Sequence, residues 1–283
     1  GKSIIEILVK SGFEVYLIDW GYPTDADKND GLDVHVNLYI DRMVDKVREL
    51  SRQDQVTLLG YCMGGAMSMM YTALHQEKVK NLVTLATPFD FGASENILSK
   101  WGRDLPVEDI VNTFGNCPGW FLNMGFDAMK PFDKIDKVIN ITDGIMDDDF
   151  RTLFTAMEKW VSDAVSVPGK AYEEFLRGGF RENRLMKNEF CVGEQMVDLK
   201  KITCSYLNLV AEKDTLVLPV SSLKIGDYLG SEDKKLMTSN TGHIGLAVSG
   251  KTLKTLWPEA AAWMKERSGG NRKVAKRLVE QTS

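Results

Sequence analysis

Apolar side chains recur at helical spacing at Ile4, Ile5, Leu8 and Val9, and the pattern stops at Ser11-Gly12. Phe13 to Ile18 is a short β-branched and aromatic run closed by Asp19-Trp20-Gly21-Tyr22-Pro23, which predicts a strand and then a turn. Val36, Tyr39, Ile40, Met43, Val44, Val47 and Leu50 line one face of a second helix. Gln55 to Leu59 reads as a buried strand running into a glycine-rich turn, Ala66 to Leu74 as a helix and Val79 to Ala86 as a further strand. Alternation of strand and helix predicts a mostly parallel sheet with helices on both faces.

The alternation breaks at Thr87-Pro88, and residues 88–200 read as helical and irregular, with Trp101, Trp120 and Trp160 among them. It resumes with the strand Ser205 to Val210, a helix opening near Pro219, the strand Lys235 to Met237 and a helix ending near Arg267. The expected organisation is therefore an α/β core from 1–87 and 201–267, a helical cap inserted at 88–200, and a basic tail at 268–283 carrying Arg272, Lys273, Lys276 and Arg277. The tail is read as a solvated end, with contact to a partner or a granule surface as the functional alternative.

Composition narrows the functional classes. With 283 residues and 43% apolar content, the chain can bury one substantial core and an insertion. A formal net charge of −5 argues against nucleic acid as a partner. No apolar run reaches the length of a membrane span, and no signal peptide opens the sequence. Cys62, Cys117, Cys191 and Cys204 are scattered, with neither CxxC pairs nor histidines at zinc-ligand spacing, so reduced thiols in a cytoplasmic protein and no bound metal are expected. The chain opens at Gly1, already in what reads as the middle of a domain, which suggests a segment of a longer protein.

The chemistry is concentrated in Gly60-Tyr61-Cys62-Met63-Gly64-Gly65, between a predicted strand and a predicted helix. A nucleophile elbow requires that context, here with cysteine in place of serine. Its glycines relieve the crowding of a strained turn, and the helix N-terminus favours thiolate. A buried structural cysteine in a tight turn is the competing explanation. The run lacks the Lys-Ser/Thr of a P-loop and the glycine spacing of a dinucleotide site, so no cofactor is expected.

An elbow nucleophile needs an acid and then a histidine later in the chain. Of three histidines, His35 precedes the elbow and His75 closes the helix that follows it, which leaves His243 in Thr241-Gly242-His243-Ile244-Gly245. Asp214 lies just past the strand Ser205 to Val210, with Glu212 as a weaker substitute. Both candidates follow strand ends, where functional groups of parallel sheets collect. His243 is the candidate general base, Asp214 its orienting partner, and the Met63 backbone N–H one donor of an oxyanion hole.

Gly60-Tyr61-Cys62-Met63-Gly64-Gly65 resembles the lipase-like box of polyhydroxyalkanoate synthases, in which cysteine replaces serine. Asp19-Trp20-Gly21-Tyr22-Pro23 and Gly242-His243-Ile244-Gly245, with Val248-Ser249-Gly250-Lys251 behind it, are similar to the same family. The likeness covers essentially the whole chain and is strongest to the class III type, short subunits that work with an accessory subunit. It implies the α/β-hydrolase fold with a helical cap. It also implies polymerisation of (R)-3-hydroxyacyl-CoA through acyl-Cys62 intermediates, with either His243 or Asp214 activating the attacking hydroxyl and with CoA as leaving group rather than cofactor. A homodimer, more active with its accessory subunit on growing cytoplasmic granules, is implied as well. Two departures stand out. Thr215 follows the aspartate where the family commonly has histidine. The family also carries an upstream segment holding the first strands and the second oxyanion donor, so the first strands of the core are expected to be missing here. A Cys-His-Asp hydrolase or thioesterase of the same fold, and a scaffold subunit without activity, are the alternatives.

Overall fold

The computed structural model describes residues 3–93, 96–129 and 148–269. Helix α1 (Ile4–Lys10) is capped by the Ser3 hydroxyl. A π-helical stretch, Val34–Ile40, runs directly into α2 (Asp41–Ser51), so the apolar face expected from Val36 onward forms in two winding geometries. Strand β1 (Val56–Tyr61) leads into α3 (Met63–Leu74), and β2 (Val79–Leu85) follows. Helices α4 (Ile97–Asp104), α5 (Val107–Phe114), α6 (Gly119–Met129), α7 (Asp148–Ser162) and α8 (Gly169–Phe175) come next. A two-residue hairpin, β3 (Cys191–Val192) and β4 (Gln195–Met196), precedes β5 (Ser205–Ala211), β6 (Lys234–Ser239) and the long α9 (Gly250–Ser268).

The main sheet has the order β1-β2-β5-β6, and every pairing in it is parallel. One face carries Val83, Leu85, Leu207 and Leu209, packed against Leu253, Leu256, Trp257, Ala260 and Met264 of α9 and Leu8 of α1. Helix α3, which packs on β1 and β2, is buried continuously from Gly65 to Ala73, as expected of a helix apolar almost all round. Within the sheet, the Thr84 hydroxyl meets the Tyr206 hydroxyl at 2.6 Å and donates to the Asn208 side chain, whose amide donates to the Ser222 carbonyl. Ser222 in turn donates to the Thr87 carbonyl, so these buried polar groups satisfy one another.

Contacts divide the chain into two units, one comprising Gly1–Ile18, Val36–Ser94 and Arg184–Ser283, the other Asp19–His35 and Glu95–Asn183. These bounds differ from the 88–200 insertion read from the sequence. Residues 184–200, with the β3–β4 hairpin, fall in the first unit. The Asp19-Trp20-Gly21-Tyr22-Pro23 segment falls in the second, where long-range hydrogen bonds hold the residues that follow it. Asn116 donates to the Thr24 carbonyl, Lys170 N–H to the Lys28 carbonyl, and Leu32 N–H to the Glu174 carboxylate. The tail from residue 270 onward lies outside the described residues.

Phe13 to Ile18 is not a strand. Its alternation is real, since Phe13 and Val15 pack on the core while Tyr16 is exposed. A strand also needs a ladder partner, and among the described residues β1 pairs with β2 alone.

Candidate active site

Cys62 occupies the junction of β1 and α3 with φ 54° and ψ −122°, a backbone conformation that non-glycine residues rarely adopt. Its N–H donates to the Leu85 carbonyl at 2.9 Å, and its own carbonyl accepts from Gly65 and Ala66. These bonds tie the turn to β2 on one side and to the helix start on the other. The two glycines are required by close approach. A Cβ at Gly60 would meet the backbone of Gly64 and Gly65, and one at Gly65 would collide with the Thr87 side chain. The strained elbow expected from the sequence is therefore present, held by its surroundings.

The structure brings Cys62, His243 and Asp214 together from three strand ends. Asp214, three residues past β5, is buried. One carboxylate oxygen accepts from the Leu216 and Val217 N–H groups, both at 2.9 Å. The other lies 2.7 Å from His243 Nδ1. Two backbone donors thus fix the acid, and the acid holds Nδ1 of the imidazole. That leaves Nε2 for the contact His243 makes with the Cys62 side chain. Burial alone would depress the basicity of His243. The hydrogen bonds from Asp214 and Cys62, and their charges, outweigh it and raise the imidazole from 6.5 to about 9. The geometry therefore favours a charged imidazole beside Cys62 at neutral pH.

The remaining thiols have different surroundings. Cys117 is buried and pushed up to about 12 by desolvation, and Cys204 is raised by the same cause. Cys191 is exposed on the β3–β4 hairpin. Met63 is the first residue of α3, where a helix leaves an N–H without a partner of its own, as an oxyanion donor requires.

Other candidates lie elsewhere. Glu212, the weaker alternative to Asp214, accepts from the Thr238 hydroxyl at 2.6 Å instead of bonding His243. His35 bonds the Gly31 carbonyl beside the Trp20 ring, and His75 stacks on Tyr71 and bonds Asn37. Sequence reasoning missed Tyr61, whose hydroxyl donates to the His243 carbonyl at 3.2 Å. Its position just before the nucleophile was the available signal. Among the described residues, no group of three His, Cys, Asp or Glu side chains could hold a metal ion, and no helix is long and apolar enough to cross a membrane.

Comparison with known proteins agrees with this architecture. Residues 2–248 match the family model described as alpha/beta hydrolase fold. A Paleococcus ferrophilus monoacylglycerol lipase superposes with TM-score 0.56 at 14% identity, covering 93% of this chain and 88% of its own, a likeness of fold alone. The protein is thus an α/β hydrolase by fold, with a cysteine at the elbow. Its relatives are more specific. The chain is 42% identical over 267 residues to the poly(3-hydroxyalkanoate) polymerase subunit PhaC of Allochromatium vinosum, covering 94% of this chain and 75% of that protein. It is 41% identical to the PhaC subunit of Haloarcula marismortui, covering 96% of this chain but 58% of the longer relative. The chain belongs to the PhaC family of poly(3-hydroxyalkanoate) polymerase subunits.

Proposed function

We propose that this chain carries the catalytic site of an acyltransferase that polymerises (R)-3-hydroxyacyl-CoA with release of CoA. One observation carries the reading. In a PhaC-family chain, a thiol sits at the strained elbow, in contact with a histidine that a buried aspartate holds at 2.7 Å.

Sulfur suits the chemistry. Attack of the Cys62 thiolate on an acyl-CoA exchanges one thioester for another, so little free energy separates the two and the acyl group stays activated. In this reading His243 enters charged, gives its proton to the departing CoA thiolate and becomes neutral. It then accepts the proton of the 3-hydroxyl of the next hydroxyacyl-CoA as that oxygen attacks acyl-Cys62. An ester bond forms, the Cys62–acyl bond breaks, and the imidazolium–thiolate pair is restored. The lengthened acyl-CoA can then reload Cys62 in the same way. Asp214 keeps the proton-bearing Nδ1 in place throughout, and Met63 N–H faces the oxyanion of each tetrahedral intermediate. The homodimer and the accessory subunit implied by the family resemblance belong to the same proposal.

The test is CoA release from 3-hydroxybutyryl-CoA with identification of the product, for this chain and for Cys62→Ala, each with and without an accessory subunit. Ester-linked oligomer or polymer that disappears with the thiol supports the assignment. Free 3-hydroxybutyrate as sole product would replace it with a thioesterase of the same fold.

A further inference from the structure

His243 sits on the connection that follows β6, and Asp214 restrains it through one ring nitrogen. A single hydrogen bond to Nδ1 leaves the tilt of the ring and the position of the backbone beneath it open. A residue from a different strand closes both. Tyr61 ends β1, in register with Leu85 of β2, and packs with Leu59 on the core cluster that includes Leu246 and Trp257. From there its hydroxyl donates to the His243 carbonyl at 3.2 Å. Its ring lies against the imidazole with centroids 5.0 Å apart and planes inclined by 26°. An electron-rich ring face at this distance attracts a cation more strongly than a neutral imidazole.

The donor role is secure across the working pH range. Burial, and then the charges of Cys62 and Asp214, raise the Tyr61 phenol well above its ordinary value, so the hydroxyl keeps its proton. Tyr61 is also covalently adjacent to Cys62. A displacement of the elbow and a displacement of His243 therefore cannot occur independently while both contacts hold.

We propose that Tyr61 is the positioning residue for His243, its hydroxyl anchoring the histidine carbonyl and its ring face supporting the imidazolium beside Cys62. This inference rests on the Cys62–His243–Asp214 reading of the site. The ionisable groups gathered there are Cys62, His243, Asp214 and Tyr61 itself.

The test is the pH dependence of iodoacetamide alkylation at Cys62, read by mass spectrometry peptide by peptide because Cys191 is an exposed thiol. It is run on the full chain and on Tyr61→Phe, Tyr61→Leu and His243→Ala. Tyr61→Leu should slow alkylation near neutral pH by about tenfold and move the rate midpoint upward, as ring and hydroxyl are both lost. Tyr61→Phe keeps the ring and should lose about fivefold, recovering part of the leucine defect. In CoA release the same variants should lower kcat with KM little changed. Removal of one oxygen leaves the packing intact, so Tyr61→Phe keeps the test decisive if the leucine variant does not fold. A Tyr61→Phe curve superimposed on that of the unaltered chain, while His243→Ala shifts it, would overturn the role of Tyr61 alone. A Cys62 curve unmoved by His243→Ala would overturn the underlying triad.

Discussion

Replacing Asp214 with asparagine tests the orienting arrangement most directly, because the change keeps shape and removes one property. The carboxylate accepts three hydrogen bonds, from Leu216 N–H, Val217 N–H and His243 Nδ1. An asparagine has one oxygen, and the two backbone donors hold it, so the amide NH2 is turned toward the imidazole. An NH2 group cannot accept from Nδ1–H. The ring must therefore shed that proton and carry it on Nε2, the nitrogen that should receive the proton of Cys62 or of the incoming hydroxyl. The charge that stabilises the imidazolium is lost as well. The rise of His243 from 6.5 to about 9 corresponds to about 3 kcal/mol of support for the charged ring, shared between Asp214 and Cys62. With the tautomer error added, CoA release should fall by roughly 10³-fold or more. The assay is the initial rate of CoA release from 3-hydroxybutyryl-CoA between pH 6 and 10, beside the rate of Cys62 alkylation. A variant within about tenfold of the unaltered chain, with the same pH profile, would refute the claim that Asp214 orients His243.

Further outcomes follow from the same contacts. The folded-state value of His243 is raised, so its stabilising contribution is fully present below about pH 6.5 and is lost as pH rises through about 9. The stability gap between the chain and His243→Ala, measured by urea unfolding, should therefore narrow by up to about 3 kcal/mol across that window. A gap that widens would reverse the sign of the coupling. Gly65→Ala drives a methyl group into the Thr87 side chain. It should cost about 2–3 kcal/mol by overpacking and depress Cys62 alkylation, and an unchanged unfolding midpoint would show that the elbow has room to relax.

The elbow was legible in the sequence because its requirements are local. A tight strand-to-helix turn needs glycine where Gly60 and Gly65 stand, and both are confirmed as positions where a Cβ collides. Asp214 and His243 were also legible, since strand ends can be counted along a parallel sheet and only one histidine follows the acid. The alternation of β1, β2, β5 and β6 was visible for the same reason, although β6 is longer at both ends than Lys235 to Met237.

Tertiary structure decided the rest. Phe13 to Ile18 has the alternation of a strand, yet strand character depends on a neighbour's backbone groups, and no local pattern encodes whether that neighbour is there. The Asp19–His35 segment joins Glu95–Asn183 through hydrogen bonds spanning as many as 142 residues, which no hydrophobic period reports. Tyr61 reads only as part of the glycine-rich turn that follows the Gln55 to Leu59 strand, and only the fold sets its hydroxyl against a carbonyl 182 residues away. Periodicity records which face a side chain shows, whereas its partner across the molecule is chosen by packing, where sequence separation has no bearing on distance.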